Sequence, residues 1–171
     1  MRFRVPVLLL TLWVPLCHSF GADVENADSK PTPEKELFRG QVVIVKDALE
    51  KRGITAFEEM KEQVALETPD GKLLPIVADW RGRAFYQDKR LRDRKVELVG
   101  YQREGLPYLQ VLMIFTFDKD DQRMYTDYWC DICSIPMYEI KPCDCCQQDT
   151  RLRFQPQALP DYLDQNKNST K

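Results

Sequence analysis

Five cysteines crowd into the seventeen residues Cys130–Cys146, in the order C-x2-C-x9-C-x-C-C. A stretch this short buries too little apolar surface to fold alone, so its thiols must be tied together by a metal ion or by disulfides. Cys130 with Cys133 and Cys143 with Cys146 form two C-x2-C arms. Each such turn offers two sulfurs and lets backbone amides point at them, which is what a tetrahedral ion needs. Pro142 stiffens the second arm and Pro136 lies in the connection. The spacing predicts a zinc-ribbon-like hairpin holding one metal ion on Cys130, Cys133, Cys143 and Cys146. Zinc is expected over iron, since nothing else in the chain indicates electron transfer. Cys145 is left as a spare thiol, and its neighbour Cys146 cannot readily bond it without strain.

Two other chemistries compete for these thiols. Disulfides suit an oxidising compartment, although five cysteines leave one unpaired. A thiol–disulfide redox pair on Cys130 and Cys133 is the other, and it calls for a helix starting at the first cysteine to lower the thiolate pKa. Ile135-Pro136 argues against that helix. Asp131, Glu139, Asp144 and Asp149 surround the cluster, and solvated carboxylates are the simplest reading of them.

The compartment is indicated by the other end of the chain. Met1-Arg2-Phe3-Arg4 is basic, Val5–Leu16 is apolar, and small residues follow at 19–22. That layout predicts a signal peptide over residues 1–22, too short to span as a mature transmembrane helix. An exported protein, periplasmic or extracellular, is therefore expected, and not an integral membrane protein. Lipid attachment through Cys17 is disfavoured because the bulky Leu16 precedes it. Cleavage removes two arginines and no acid, taking the net charge from −2 to −4. It also removes His18, the only histidine. Ser-His-Asp and Cys-His catalysis and histidine-ligated zinc enzymes are thereby excluded for the mature chain. No nucleophile–base pair or carboxylate dyad stands out, so the expectation is a non-enzymatic binding or structural module, with a protein as its conceivable partner.

Between the two ends the pattern is mainly β. Residues 23–36 are polar, contain Pro31 and Pro33, and read as a flexible tether. Residues 37–129 carry short β-branched runs at 41–45, 96–101 and 108–117, the last being the candidate central strand. Lys46–Arg52 before Gly53 reads as a short helix with a glycine stop. Val64–Thr68 and Lys72–Val77 flank Pro69-Asp70-Gly71, a hairpin signal, with Pro75 placing the second strand at an edge. Five or six short strands with minor helix suggest a small open barrel of OB type over 37–129. The cysteine hairpin follows at 130–150, then a mostly disordered polar tail at 151–171.

One segment hints at a second function. Arg81, Arg83, Lys89, Arg90, Arg92 and Arg94 surround the aromatic pair Phe85 and Tyr86. Such interleaving can grip polyanions, and an OB-type oligonucleotide binder is the corresponding alternative. In an acidic exported chain the plainer reading is a solvated loop whose aromatics tuck into the core, and no specific nucleic-acid binding is expected.

Several of these residues fall into a recognisable pattern: Gly71-Lys72-Leu73-Leu74-Pro75, Arg83-Ala84-Phe85, Arg90-Leu91, Val96-Glu97-Leu98, Leu109-Gln110-Val111-Leu112, Tyr128-Trp129-Cys130-Asp131-Ile132-Cys133 and Cys143-Asp144-Cys145-Cys146. On these the segment from Gly71 to Gln147 resembles a family of uncharacterised exported bacterial proteins. The resemblance implies an exported, OB-like β-barrel domain with a cysteine-rich end, and it implies no activity. Where that pattern has glycine after the last cysteine, this chain has Gln147.

Overall fold

A β-branched and aromatic alternation runs through most of residues 36–130, and it is realised as one antiparallel sheet. The computed structural model describes residues 33–165, side chains at 164 and 165 apart; the expected signal peptide, most of the tether and the last six residues lie outside the described part. The strands are β1 (Glu36–Ile44), β2 (Val64–Glu67), β3 (Leu73–Pro75), β4 (Lys95–Gln102), β5 (Leu109–Phe117), β6 (Arg123–Cys130), β7 (Ile135–Met137) and β8 (Arg151–Pro156). They are ordered β3-β2-β1-β4-β5-β6-β7, with β8 pairing β6. The mainly β class and the cysteine-rich end follow the sequence expectation. The eight-stranded sheet does not close into a barrel, and the OB topology expected for 37–129 is replaced by this open arrangement.

Local signals account for the connections. α1 (Val45–Lys51) ends at Arg52, and Gly53 supplies the positive φ of +72° that stops it. Asp70-Gly71 turns the β2–β3 hairpin, with Gly71 at +80° and its amide bonded to the Thr68 carbonyl at 2.8 Å. α2 (Arg83–Gln87) buries Ala84 and Phe85 completely, so one half of the aromatic pair is core.

β4 lies at the centre and is buried from Val96 to Gly100. Its even residues Val96 and Leu98 join Val42, Leu66, Phe85 and Val111 in the larger core. Val99 points the other way and meets Phe115 and Leu163, the last from α3 (Tyr162–Gln165). This is the two-faced burial of an inner strand. On that second face Glu97 is buried between two arginines, accepting from Arg39 Nε at 2.9 Å and Arg123 Nε at 2.6 Å. The pair holds its carboxyl below the usual range although burial alone would raise it. At Gly100 the β4–β5 register slips by one residue. A Cβ there would sit 2.2 Å from the Gln110 carbonyl oxygen, so only glycine permits the approach.

β6 has three partners. β8 covers one of its edges from Met124 to Trp129, while the other edge is shared by β5 near Arg123–Tyr125 and β7 near Tyr128–Cys130. The sequence expectation of a disordered tail from 151 is thus corrected: Arg151–Pro156 is a strand. Leu152 packs on the larger core, and Arg153 on the opposite face forks onto Asp127 at 2.9 and 2.5 Å while lying 3.6 Å from the Trp129 ring centroid. The three outermost strands each contain a proline: Pro75 in β3, Pro136 in β7 and Pro156 in β8. Among the described residues no helix is long and apolar enough to cross a membrane.

Candidate metal centre

The end of β6 delivers Cys130 into the protein, fully buried, and the chain then turns back at once into β7. No helix begins at Cys130, so the feature required by a redox pair on Cys130 and Cys133 is missing. The turn has a specific form. The Ser134 amide donates to the Cys130 carbonyl at 2.9 Å, Ser134 takes a φ of +54°, and the Cys133 amide lies 3.5 Å from the Cys130 sulfur. The second arm repeats it. The Gln147 amide donates to the Cys143 carbonyl at 2.9 Å, Gln147 takes a φ of +59°, and the amides of Cys146 and Cys145 are directed at the Cys143 sulfur. Gln147 thus occupies the left-handed position where a glycine would be relaxed. The second arm is closed by the Cys143 amide bonding the Gln148 carbonyl at 2.8 Å.

The two arms bring Cys130, Cys133, Cys143 and Cys146 together with their sulfurs all within 4.8 Å of one another, Cys130 and Cys146 being 3.5 Å apart. Sulfurs bound at about 2.3 Å to a tetrahedral ion lie about 3.8 Å from each other. The observed cluster brackets that value, and the four thiols could hold a metal ion without rearrangement of the arms. None of the five cysteines is in a disulfide. Cys130 and Cys143 are wholly buried, Cys133 and Cys146 are half-buried, and Cys145 is exposed.

The thiols polarise one another unevenly. Backbone amides of Cys146 and Cys145 pull the Cys143 thiol down to about 7. The neighbouring thiols of Cys145 and Cys146 push Cys133 up. At Cys130 the Cys133 amide pulls down, but burial and the thiols of Cys146 and Cys143 outweigh it and the net direction is up. Four thiolates this close repel one another strongly unless a cation lies between them. One sulfur is therefore prepared to ionise first, and the others gain by sharing a positive charge.

The surrounding acids are occupied. Asp131 takes a two-pronged pair from Arg151 at 2.8 and 2.9 Å, Asp144 pairs with Lys141 at 3.0 Å, and Glu139 is buried against Arg83 at 2.6 Å. They enclose the cluster as ion pairs rather than adding hard ligands to it. The basic segment is likewise drawn inward. Arg90 forks onto Asp88, Arg94 donates to the Phe117 carbonyl, and the Arg81 guanidinium lies 3.6 Å from the Tyr138 ring centroid and 4.6 Å from that of Trp80. Lys89 is exposed and Arg92 half-buried.

Sequence reasoning did not find the left-handed residues Ser134 and Gln147, nor Arg151 and Arg153, which tie β8 to the cysteine end. The alternation Arg151-Leu152-Arg153-Phe154 was the available signal for that strand. No protein-family model, curated protein or solved structure matches this chain.

Proposed function

We propose that this chain is an exported, non-enzymatic module whose C-terminal end is organised by one zinc ion on Cys130, Cys133, Cys143 and Cys146. The observation that carries the reading is the repeated turn. Two separate C-x2-C arms adopt the same hydrogen bond from residue i+4 to residue i, the same left-handed fourth position and the same amide-to-sulfur contacts. Amides aimed at a sulfur stabilise thiolate, and a set of four sulfurs alone suits a soft tetrahedral ion.

The ion would fix the arms at the exit of β6, between β7 and β8, and so join the two edges of that strand. The binding free energy would then contribute directly to folding of residues 130–150. The polyanion alternative loses support because Arg81, Arg83, Arg90 and Arg94 are turned to partners within the chain.

Elemental analysis and thiol titration of protein recovered from its native compartment test this reading. Zinc near one equivalent, released by a chelator together with the four ligand thiols, is the expected result. Metal-free protein with at most one titratable thiol would mean that disulfides staple the cluster, and would overturn it.

A further inference from the structure

The fifth thiol is placed where a spare cysteine would not need to be. Cys145 gives its amide to the sulfur of Cys143, a buried ligand, while its own thiol lies in hydrogen-bonding contact with Cys133, a half-exposed one. The centre is therefore asymmetric. Cys130 and Cys143 form a buried pair, and Cys133, Cys146 and Cys145 line the side open to solvent.

Resting on the zinc reading above, we propose that the centre is an exchange site that hands its ion to an external chelating ligand, Cys145 replacing Cys133 in the ligand set as it does so. The exchange is a simple substitution. The Cys145 sulfur forms a bond to the ion as it gives up its thiol proton, and the Cys133 sulfur leaves and takes up one proton. The ion keeps four thiolates and the centre its charge, and no oxidant or reductant takes part. The anchored pair Cys130 and Cys143 holds the arms in place meanwhile, so the hairpin need not unfold for the ion to leave. A closed four-sulfur site would lack this route, because every ligand would have to be displaced by the incoming group unaided.

Zinc-loaded full-length protein is mixed with excess 4-(2-pyridylazo)resorcinol, and the transfer rate is read from the coloured complex. The same is done for C145S, C133S and the double variant. Wild type and C145S are expected to bind one equivalent each, with transfer from C145S slower by about tenfold or more. C133S is expected to keep its zinc through Cys145, and C133S/C145S to lose it. Equal or faster transfer from C145S overturns the exchange role, as does loss of zinc from C133S while Cys145 is intact; the zinc centre itself survives either result. Wild type that binds no zinc is seen in the stoichiometry before any rate is measured, and it overturns the metal reading and the exchange role together.

Discussion

Replacing Tyr128 by Phe removes one oxygen from the larger core, and the consequences follow from what that oxygen holds. The Tyr128 hydroxyl donates to Asp88 Oδ2 at 2.8 Å, and the same carboxylate takes Arg90 Nη2 at 2.7 Å and Nε at 2.9 Å. Asp88 is only 4% exposed, so its charge depends on these donors. A hydrogen bond to a charged group contributes about 1.5–3 kcal/mol. Because Arg90 remains in place, the loss should fall at the lower end, about 1.5–2 kcal/mol at pH 7. The pH dependence gives a sharper test. Burial would raise the Asp88 carboxyl, but Arg90 and Tyr128 outweigh it and hold it below the ordinary range. A depressed acid contributes stability that is present above its unfolded pKa, near 3.9, and is lost as pH falls through the folded value. Tyr128→Phe weakens that depression, so the gap between variant and wild type should narrow once the carboxyl is protonated. Urea titrations followed by tryptophan fluorescence at pH 7 and near pH 3 measure both points. Both proteins carry the same thiol cluster, so their difference isolates the Tyr128–Asp88 contact. A loss under about 0.5 kcal/mol at pH 7, or a gap that widens in acid, would refute the reasoning.

Other substitutions probe different parts of the sheet. Gly100→Ala forces a Cβ to within 2.2 Å of the Gln110 carbonyl, so β4 and β5 must part. A loss of about 2 kcal/mol or more is expected in chemical denaturation. Arg153→Ala leaves the fully buried Asp127 carboxylate without its paired guanidinium. It should cost about 3–5 kcal/mol and expose the β6 amides to hydrogen exchange along the β8 side. Gln147→Gly relieves a left-handed residue at +59°. The relief of about 1–2 kcal/mol, less about 0.5–1 kcal/mol for the freer unfolded chain, should raise the urea midpoint of zinc-loaded protein.

What could be read from the sequence was what is locally determined. Thiol spacing defines a ligand set within seventeen residues, and Asp70-Gly71 and Gly53 mark backbone turns that few other residues make. Barrel closure was not legible, because it depends on whether the first and last strands meet, and no short pattern encodes that register. β8 was hidden by its composition: its six residues include two arginines, a glutamine and a proline. Its stability comes from Asp127, Trp129 and Asp131, more than fifteen residues away. The basic segment misled for a similar reason. Arg83 reads as free charge until Glu139, fifty-six positions on, is folded against it.

An open sheet, unlike a barrel, leaves rows of unpaired amides and carbonyls along its borders, and those rows invite another chain to add a strand. Here each border ends in a short strand that contains a proline, at Pro75, Pro136 and Pro156. Proline offers no amide to an incoming partner, and Arg151 and Arg153 place charge on β8 as well. The borders are thus protected against strand-to-strand polymerisation, a hazard that grows at the high local concentrations of a confined compartment. The same prolines that weaken each outer strand as a member of the sheet keep the sheet from growing beyond one molecule.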